Sequence, residues 1–390
     1  MPNIINSNPI IFMASQPFFI RYTGILLPEN RDKTMKHGCI CKWLRVLHTT
    51  THNQNARVRL HSCKGWAISC IIDTKNRECS HFSYLYCHKA FIMSHIDLII
   101  EERPADIGNF LVGRLLPFRG KRMVGPFIFI DHMGPVRLDD HHNMDIGPHP
   151  HIGLSTLTYL FEGNIMHKDT LGTEVEVKAG EVNWMTAGKG IVHSERTPDY
   201  LRHSDKPLHG LQIWVAMPKE LEQMHPEFYH VSKEDIPTWE KDSVSYKLIA
   251  GSALGHNSPV PVYSKLFLLE IKSTTRQTIQ VGHELFGEAG MYILEGSVES
   301  EGNVYEPKRI LVAKDSSLCQ FTMEAGTTIY LFGGEPFPEE RYIYWNFVSS
   351  SLDIIEKAKE DWKTQRFPTI PGETGYIPLP EANPLVKQKK

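Results

Sequence analysis

What this chain lacks narrows its function before any motif is considered. No apolar run reaches the ~18 residues of a membrane-crossing helix, so no transmembrane segment is indicated. The charges nearly cancel, with 42 Lys and Arg against 45 Asp and Glu. A net charge of −3 makes no whole-chain case for nucleic-acid binding. Cysteine is confined to one end. Six of the seven (Cys39, Cys41, Cys63, Cys70, Cys79 and Cys87) precede Met93, and Cys319 alone follows it. Their spacings, C-x-C, C-x6-C and C-x7-C, contain no paired C-x2-C zinc framework. A disulfide module would need an oxidising compartment, and the start of the chain lacks the charged and apolar regions of a secretory signal. The expected location is cytoplasmic, or nuclear in a eukaryote.

The same counts mark a boundary. Residues 1–93 hold twelve Lys and Arg against four Asp and Glu, a balance of +8, which leaves −11 on the rest. Residues 1–92 show no sustained period of 2 or 3.6, and Thr, His, Asn and Arg clusters interrupt their short apolar runs. Met93-Ser-His-Ile-Asp97 reads as a natural start, with the preceding stretch outside the native coding sequence. In either case residues 1–92 are expected to be a low-order extension.

What is abundant is histidine, 20 residues, and two stretches place it in pairs with one residue between. One is Pro148-His149-Pro-His151-Ile-Gly153; the other is Gly188-Lys-Gly190-Ile-Val-His193-Ser-Glu195. Alternate residues of a strand share a face, so each pair can aim both side chains at one point. Between them lie Tyr159-Leu-Phe161-Glu-Gly163 and Gly180-Glu-Val-Asn-Trp184. That succession of strand and turn folds the second pair back beside the first. Three imidazoles and a carboxylate then form a mixed N/O site suited to a divalent first-row transition metal with open positions. Gly188 and Gly190 allow positive φ or tight backbone approach just before the second pair. Other histidines fit the site less well. His132 has no partner at period 2 and reads as a hydrogen-bonded structural residue. His141 and His142 lie in the polar run Asp139–Asn143 and read as the rim of the site mouth. His167 and Asp169 fit a place behind the ligands, a place facing the substrate, or an exposed strand face.

From Ile96 onward many short strands separated by Gly and Pro turns predict an all-β fold of β-sandwiches or jelly rolls. Thr158-Tyr-Leu-Phe-Glu-Gly163 recurs as Met291-Tyr-Ile-Leu-Glu-Gly296, an offset of 133. Carried along that offset, the ligand positions fall on Gly282, Glu284, Gly326 and Thr328. The second half thus keeps the fold pattern without the ligands, and His283 alone cannot hold an ion. The expected division is 93–217 as the metal-binding domain, 218–243 as a linker with a short helix around Leu221, Met224 and Phe228, and 244–390 as a metal-free domain. Leu352, Ile355, Ala358, Lys359 and Trp362 have helical spacing and predict an amphipathic helix that packs back on a sandwich. The segment from Arg366 to the end is an extended tail.

The run Gly125-Pro-Phe-Ile-Phe-Ile-Asp131-His132-Met-Gly134-Pro135 resembles a signature of the pirin family. So do His149-Pro-His151, the stretch Trp184–Glu195, and His209-Gly-Leu-Gln-Ile-Trp214-Val. The resemblance runs from about Met93 to the C-terminus. It implies two tandem cupin (jelly-roll β-sandwich) domains, with iron as Fe(II) in the first. By motif match the metal ligands are His149, His151, His193 and Glu195. General cupins carry a Glu shortly after His-x-His; Leu154 and Ser155 stand there, so Glu195 supplies the carboxylate. The resemblance further implies a quercetin 2,3-dioxygenase-like oxidoreductase taking dioxygen and a flavonol or other small aromatic, enolic substrate, with Glu195 doubling as a base. The alternative it carries is an iron-dependent, redox-sensitive regulator that binds a transcription-related protein partner, with no direct contact to nucleic acid or membrane.

Overall fold

The computed structural model describes residues 45–49, 55–61, 66–73, 78–86, 96–107, 110–281, 285–313 and 320–385. The chain divides into two units, Met1–Met93 and Ser94–Lys390. In the first, strands Arg45–Thr49, Asn55–His61, Trp66–Asp73 and Glu78–Tyr86 form an antiparallel sheet in chain order. Apart from these strands, the low-order extension expected for 1–92 lies outside the described residues.

The second unit is all-β, as expected, and consists of two sandwiches followed by one helix. The large sheet of the first sandwich runs in the order Glu227–Val231, Val182–Thr186, Leu154–Glu162, Lys206–Ala216, Phe127–Leu138, Leu111–Leu116, Arg103–Asp106. Its small sheet runs Glu174–Lys178, Asn164–Asp169, Ile191–Arg196, Asp145–His151. The second sandwich repeats the plan. Strand Glu288–Glu295 sits between Thr327–Gly334 and Arg309–Ala313, as Leu154–Glu162 sits between Lys206–Ala216 and Val182–Thr186. Gly163 and Gly296, the two ends of the sequence repeat, both turn out of their strands at positive φ. The two large sheets pack face to face. Their shared core joins Leu157, Tyr159, Trp184 and Ile213 to Leu268, Tyr292, Tyr330 and Phe332. Each sheet is therefore covered on both faces, which is why its central strands read as near-continuous apolar runs.

The repeat does not hold a constant offset. In the second sandwich the strands that correspond to the two ligand strands are Gln277–Gln280 and Gln320–Met323, side by side in the smaller sheet. They carry Gln, Thr, Ile, Phe and Met and no His, Asp or Glu. Thr328 lies elsewhere, in the large sheet opposite Lys272, because the connections in the second half differ in length. Gly282, His283 and Glu284 lie outside the described residues.

Three segments cross the division expected from sequence. Strand Ile96–Glu101, placed with the first sandwich, instead pairs with Arg309–Ala313 at the edge of the second. The linker contributes a short 3-10 turn, Lys219–Leu221, and then two edge strands. Glu227–Val231 joins the first sandwich and Thr238–Lys241 the second. Phe228 is thus strand, not helix: its neighbours pair with Val182–Thr186 and Pro226 precedes the run. Finally, the residues after Glu335 return to the first sandwich. Val348 N donates to Ile152 O (3.2 Å), and Ile377 N donates to Pro148 O (2.8 Å). The helix Leu352–Lys363 forms where its periodicity predicts. It buries Ile355, Ala358 and Trp362 against Ile152, Val192 and Phe347, while Leu352 stays exposed.

Candidate metal centre

Two neighbouring strands of the small sheet bring the histidines together. Asp145–His151 and Ile191–Arg196 are antiparallel, with His149 opposite His193 and His151 opposite Ile191. The ligand atoms of His149, His151 and His193 all lie within 4.8 Å of one another. Their ring centroids are 4.3 to 5.1 Å apart. Backbone geometry sets up this approach. Gly188 has φ +50°, and an added Cβ would stand 2.2 Å from Met224 O. Only glycine lets the turn into the second strand close there.

Strand Ile191–Arg196 is buried on both faces. Ile191, His193 and Glu195 face inward; Val192 packs under the C-terminal helix. Ser194 and Arg196 donate to the Glu373 carboxylate of the tail. The helix and tail thus act as a second layer behind the ligand strand and hold its pleat in one register.

The nitrogen chemistry fits an ion. His149 Nδ1 is bonded to Gly147 O (2.8 Å), which leaves its Nε2 as the lone-pair atom. Two further buried ring nitrogens, His151 Nδ1 and His193 Nε2, have no hydrogen-bond partner. A buried polar atom left unmatched costs about 1–3 kcal/mol, a cost that a bound cation removes. Burial holds His149 near a pKa of about 4. Burial and the neighbouring imidazoles take His151 and His193 well below the ordinary value. All three are therefore neutral at physiological pH, the form in which imidazole binds a metal. The site suits a divalent transition ion.

Glu195 lies in the same buried wall. It is paired across the strand with Ile146 on one side and His167 on the other. The register against Asp145–His151 shifts between His193 and Glu195, and Glu195 is not one of the three residues whose ligand atoms converge. Thr158 Oγ1 donates to its Oε1 at 3.4 Å, and burial pushes its carboxyl up to about 7. The histidines and Glu195 open onto a cavity of about 310 Å³. Its walls include Phe129 and Trp214, stacked at 3.9 Å between ring centroids, together with Gln212, Ile146 and Met133. Arg114 also lines it, holding Asp131 through two hydrogen bonds of 2.8 and 2.9 Å.

The remaining histidines separate cleanly. His132 is buried, with Nδ1 bonded to Glu102 (2.7 Å) and Nε2 to His209 (2.8 Å), away from the cavity. His141 and His142 are exposed beside Asp139 and Asp140 and do not line the cavity. His167 and Asp169, left open by the sequence, are buried directly behind His193. Sequence reasoning missed the other end of the chain. Trp345, Asn346, Ile377, Pro378, Pro380, Pro384 and Leu385 all line the cavity. The only hint was composition: a Pro-rich tail that cannot form a core of its own has to lie against something else.

Comparison with known proteins gives concordant matches. The Pirin family model matches residues 110–215, and the Pirin C-terminal cupin domain model matches residues 267–368. A pirin-like protein of Caulobacter vibrioides is 45% identical over 290 residues, covering 73% of this chain and 100% of that protein. A Pseudomonas aeruginosa protein that bears a provisional quercetin 2,3-dioxygenase name is 34% identical, covering 69% of this chain and 84% of its own length. The crystal structure of quercetin 2,3-dioxygenase from Acinetobacter baumannii superposes with a TM-score of 0.68 at 33% identity, covering 75% of this chain and 97% of that one.

Proposed function

The chain belongs to the pirin family, and from that premise we propose that it is a metal-dependent oxygenase of quercetin 2,3-dioxygenase type. The observation that carries the reading is the set of three buried, neutral imidazoles beside a carboxylate, opening on an aromatic-walled cavity. His149, His151, His193 and Glu195 would hold the ion, Fe(II) in this reading. The bound ion would supply Lewis acidity and a redox path between an enolic substrate and dioxygen.

The protein's own residues supply the rest. Phe129 and Trp214 offer flat apolar surface to a planar aromatic substrate, and Gln212 offers an amide to its polar edge. Glu195 beside the bound ion would be held as the carboxylate, and a carboxylate oxygen can accept a proton from a substrate hydroxyl. Ile377, Pro378, Pro380, Pro384 and Leu385 of the tail add apolar wall to the cavity. A flavonol, or another enolisable aromatic of similar size, matches this combination.

The test is direct. Iron-loaded protein is mixed with a flavonol under air while flavonol absorbance and oxygen uptake are followed. The expected result is stoichiometric loss of both, reduced by at least 100-fold in Glu195→Ala, the size of a typical general-base contribution. Absence of turnover with several flavonols, in protein that holds one iron per chain, would favour the regulatory reading instead.

A further inference from the structure

Behind the ligand set lies a second, fully enclosed pair of groups. Strand Asn164–Asp169 runs antiparallel to the His193 strand, with His167 opposite Glu195 and Asp169 opposite His193. His193 Nδ1 lies 3.4 Å from His167 Nδ1, and His167 Nε2 lies 3.0 Å from Asp169 Oδ2. The other Asp169 oxygen accepts backbone N–H groups of Leu171 (2.8 Å) and Thr173 (3.1 Å). The His167 ring is also stacked on Phe228, with centroids 4.5 Å apart. Neither His167 nor Asp169 lines the cavity, so neither can touch a substrate.

We propose that His167 and Asp169 are positioning residues that fix the tautomer and ring orientation of His193. The inference rests on the reading of His193 as a metal ligand. It follows from counting donors and acceptors along the chain of contacts. Asp169, already accepting two backbone N–H groups, accepts a third hydrogen bond from His167 Nε2–H. In the arrangement that leaves His193 Nε2 open to an ion, His193 carries its hydrogen on Nδ1 and donates it to the lone pair of His167 Nδ1. His193 Nε2, the buried atom with no protein partner, is left as a lone pair aimed at the site. One carboxylate thus sets the hydrogen positions of two imidazoles in series. Such outer partners commonly alter metal affinity by ~10–100-fold.

The key variant is Asp169→Asn. An amide N–H facing His167 would reverse both tautomers and place a hydrogen on His193 Nε2, against the ion. Apparent Co(II) affinity is measured by competition with a chromogenic chelator, and the ligand-field spectrum of the Co(II)-loaded protein is recorded. Asp169→Asn and His167→Phe are expected to weaken binding ~10–100-fold and shift the ligand-field bands. In a His193→Ala background, Asp169→Asn should have no further effect. The wild-type, Zn(II)-loaded protein gives a readout that does not depend on the variants folding. Its imidazole proton–nitrogen correlation spectrum should show His193 protonated at Nδ1. Wild-type affinity and bands in Asp169→Asn, with binding lost in His193→Ala, would overturn this proposal alone. Binding retained in His193→Ala would overturn the ligand assignment as well. A His193 ring protonated at Nε2 would overturn the proposal whatever the variants do.

Discussion

At the scale of single residues, the centre is built from groups held in their less soluble forms: three neutral imidazoles and a carboxyl shifted upward. That has a consequence for the metal-free protein. His149 sits near a pKa of about 4 in the fold and near 6.5 when unfolded. His151 and His193 are displaced in the same direction. Between these values the unfolded chain binds more protons, so stability rises with pH and is lost as pH falls from about 6.5 towards 4. His149 alone accounts for roughly 3 kcal/mol. Glu195 opposes this: its folded pKa of about 7 lies above the unfolded one, so its contribution fades as pH rises from about 4.5 to 7. Three histidines outweigh one carboxyl below pH 6.5. Urea unfolding of chelator-treated protein at pH 7, 6 and 5 should therefore show stability falling stepwise. A flat profile would mean that the imidazoles are solvated in the metal-free state.

At the scale of elements, the ligand strand works because something covers its back. The cover is the helix Leu352–Lys363 and the tail after it, and the segment that leads into them is held by a buried ion pair. Glu222, just past the first sandwich, meets Arg341 at 3.1 Å, and both are almost fully buried. The same carboxylate accepts Ser349 Oγ (2.8 Å) and Ser350 N (2.7 Å), while Arg341 also donates to Met217 O (2.9 Å). Removing the Arg341 side chain leaves the Glu222 carboxylate buried without its counter-charge, which typically costs about 3–5 kcal/mol, whereas without Glu222 the guanidinium keeps its contact with Glu339 (2.8 Å). Arg341→Ala should lower the urea-derived unfolding free energy by that amount. It should also loosen the cavity wall formed by Trp345 and Asn346, which follow Arg341 on the same returning segment. A loss below about 1 kcal/mol would show that the returning segment is held by its apolar contacts instead.

At the scale of the whole second unit, two sandwiches share one core while only one carries the centre. The first contributes the four candidate ligands, and the second contributes a large sheet against which the first can pack. An ion held by the first sandwich should stabilise both together, because the shared core makes their unfolding cooperative. Free metal at 100-fold over its dissociation constant adds about 2.7 kcal/mol. Differential scanning calorimetry should then show a single transition for this unit, moved up by several degrees on Co(II) or Fe(II) loading and back on chelation. Two separate transitions, with only one responding to metal, would show that the sandwiches unfold independently.

The sequence by itself determined the local elements and the paired histidines. Strand periodicity, turn glycines and ligand spacing are short-range properties, and short-range sterics fix them. That was enough to place His149, His151 and His193 on adjacent strands, to identify the helix around Trp362, and to see the internal repeat. Only the tertiary structure decided the contacts between distant segments. It gave Ile96–Glu101 to the second sandwich and brought the C-terminal tail over the first. It moved the repeat's counterpart strands to Gln277–Gln280 and Gln320–Met323, and it buried His167 and Asp169 behind His193. These depend on which face of one sheet finds another. Burial of apolar area settles that choice, and it is non-directional and leaves no fixed spacing along the chain.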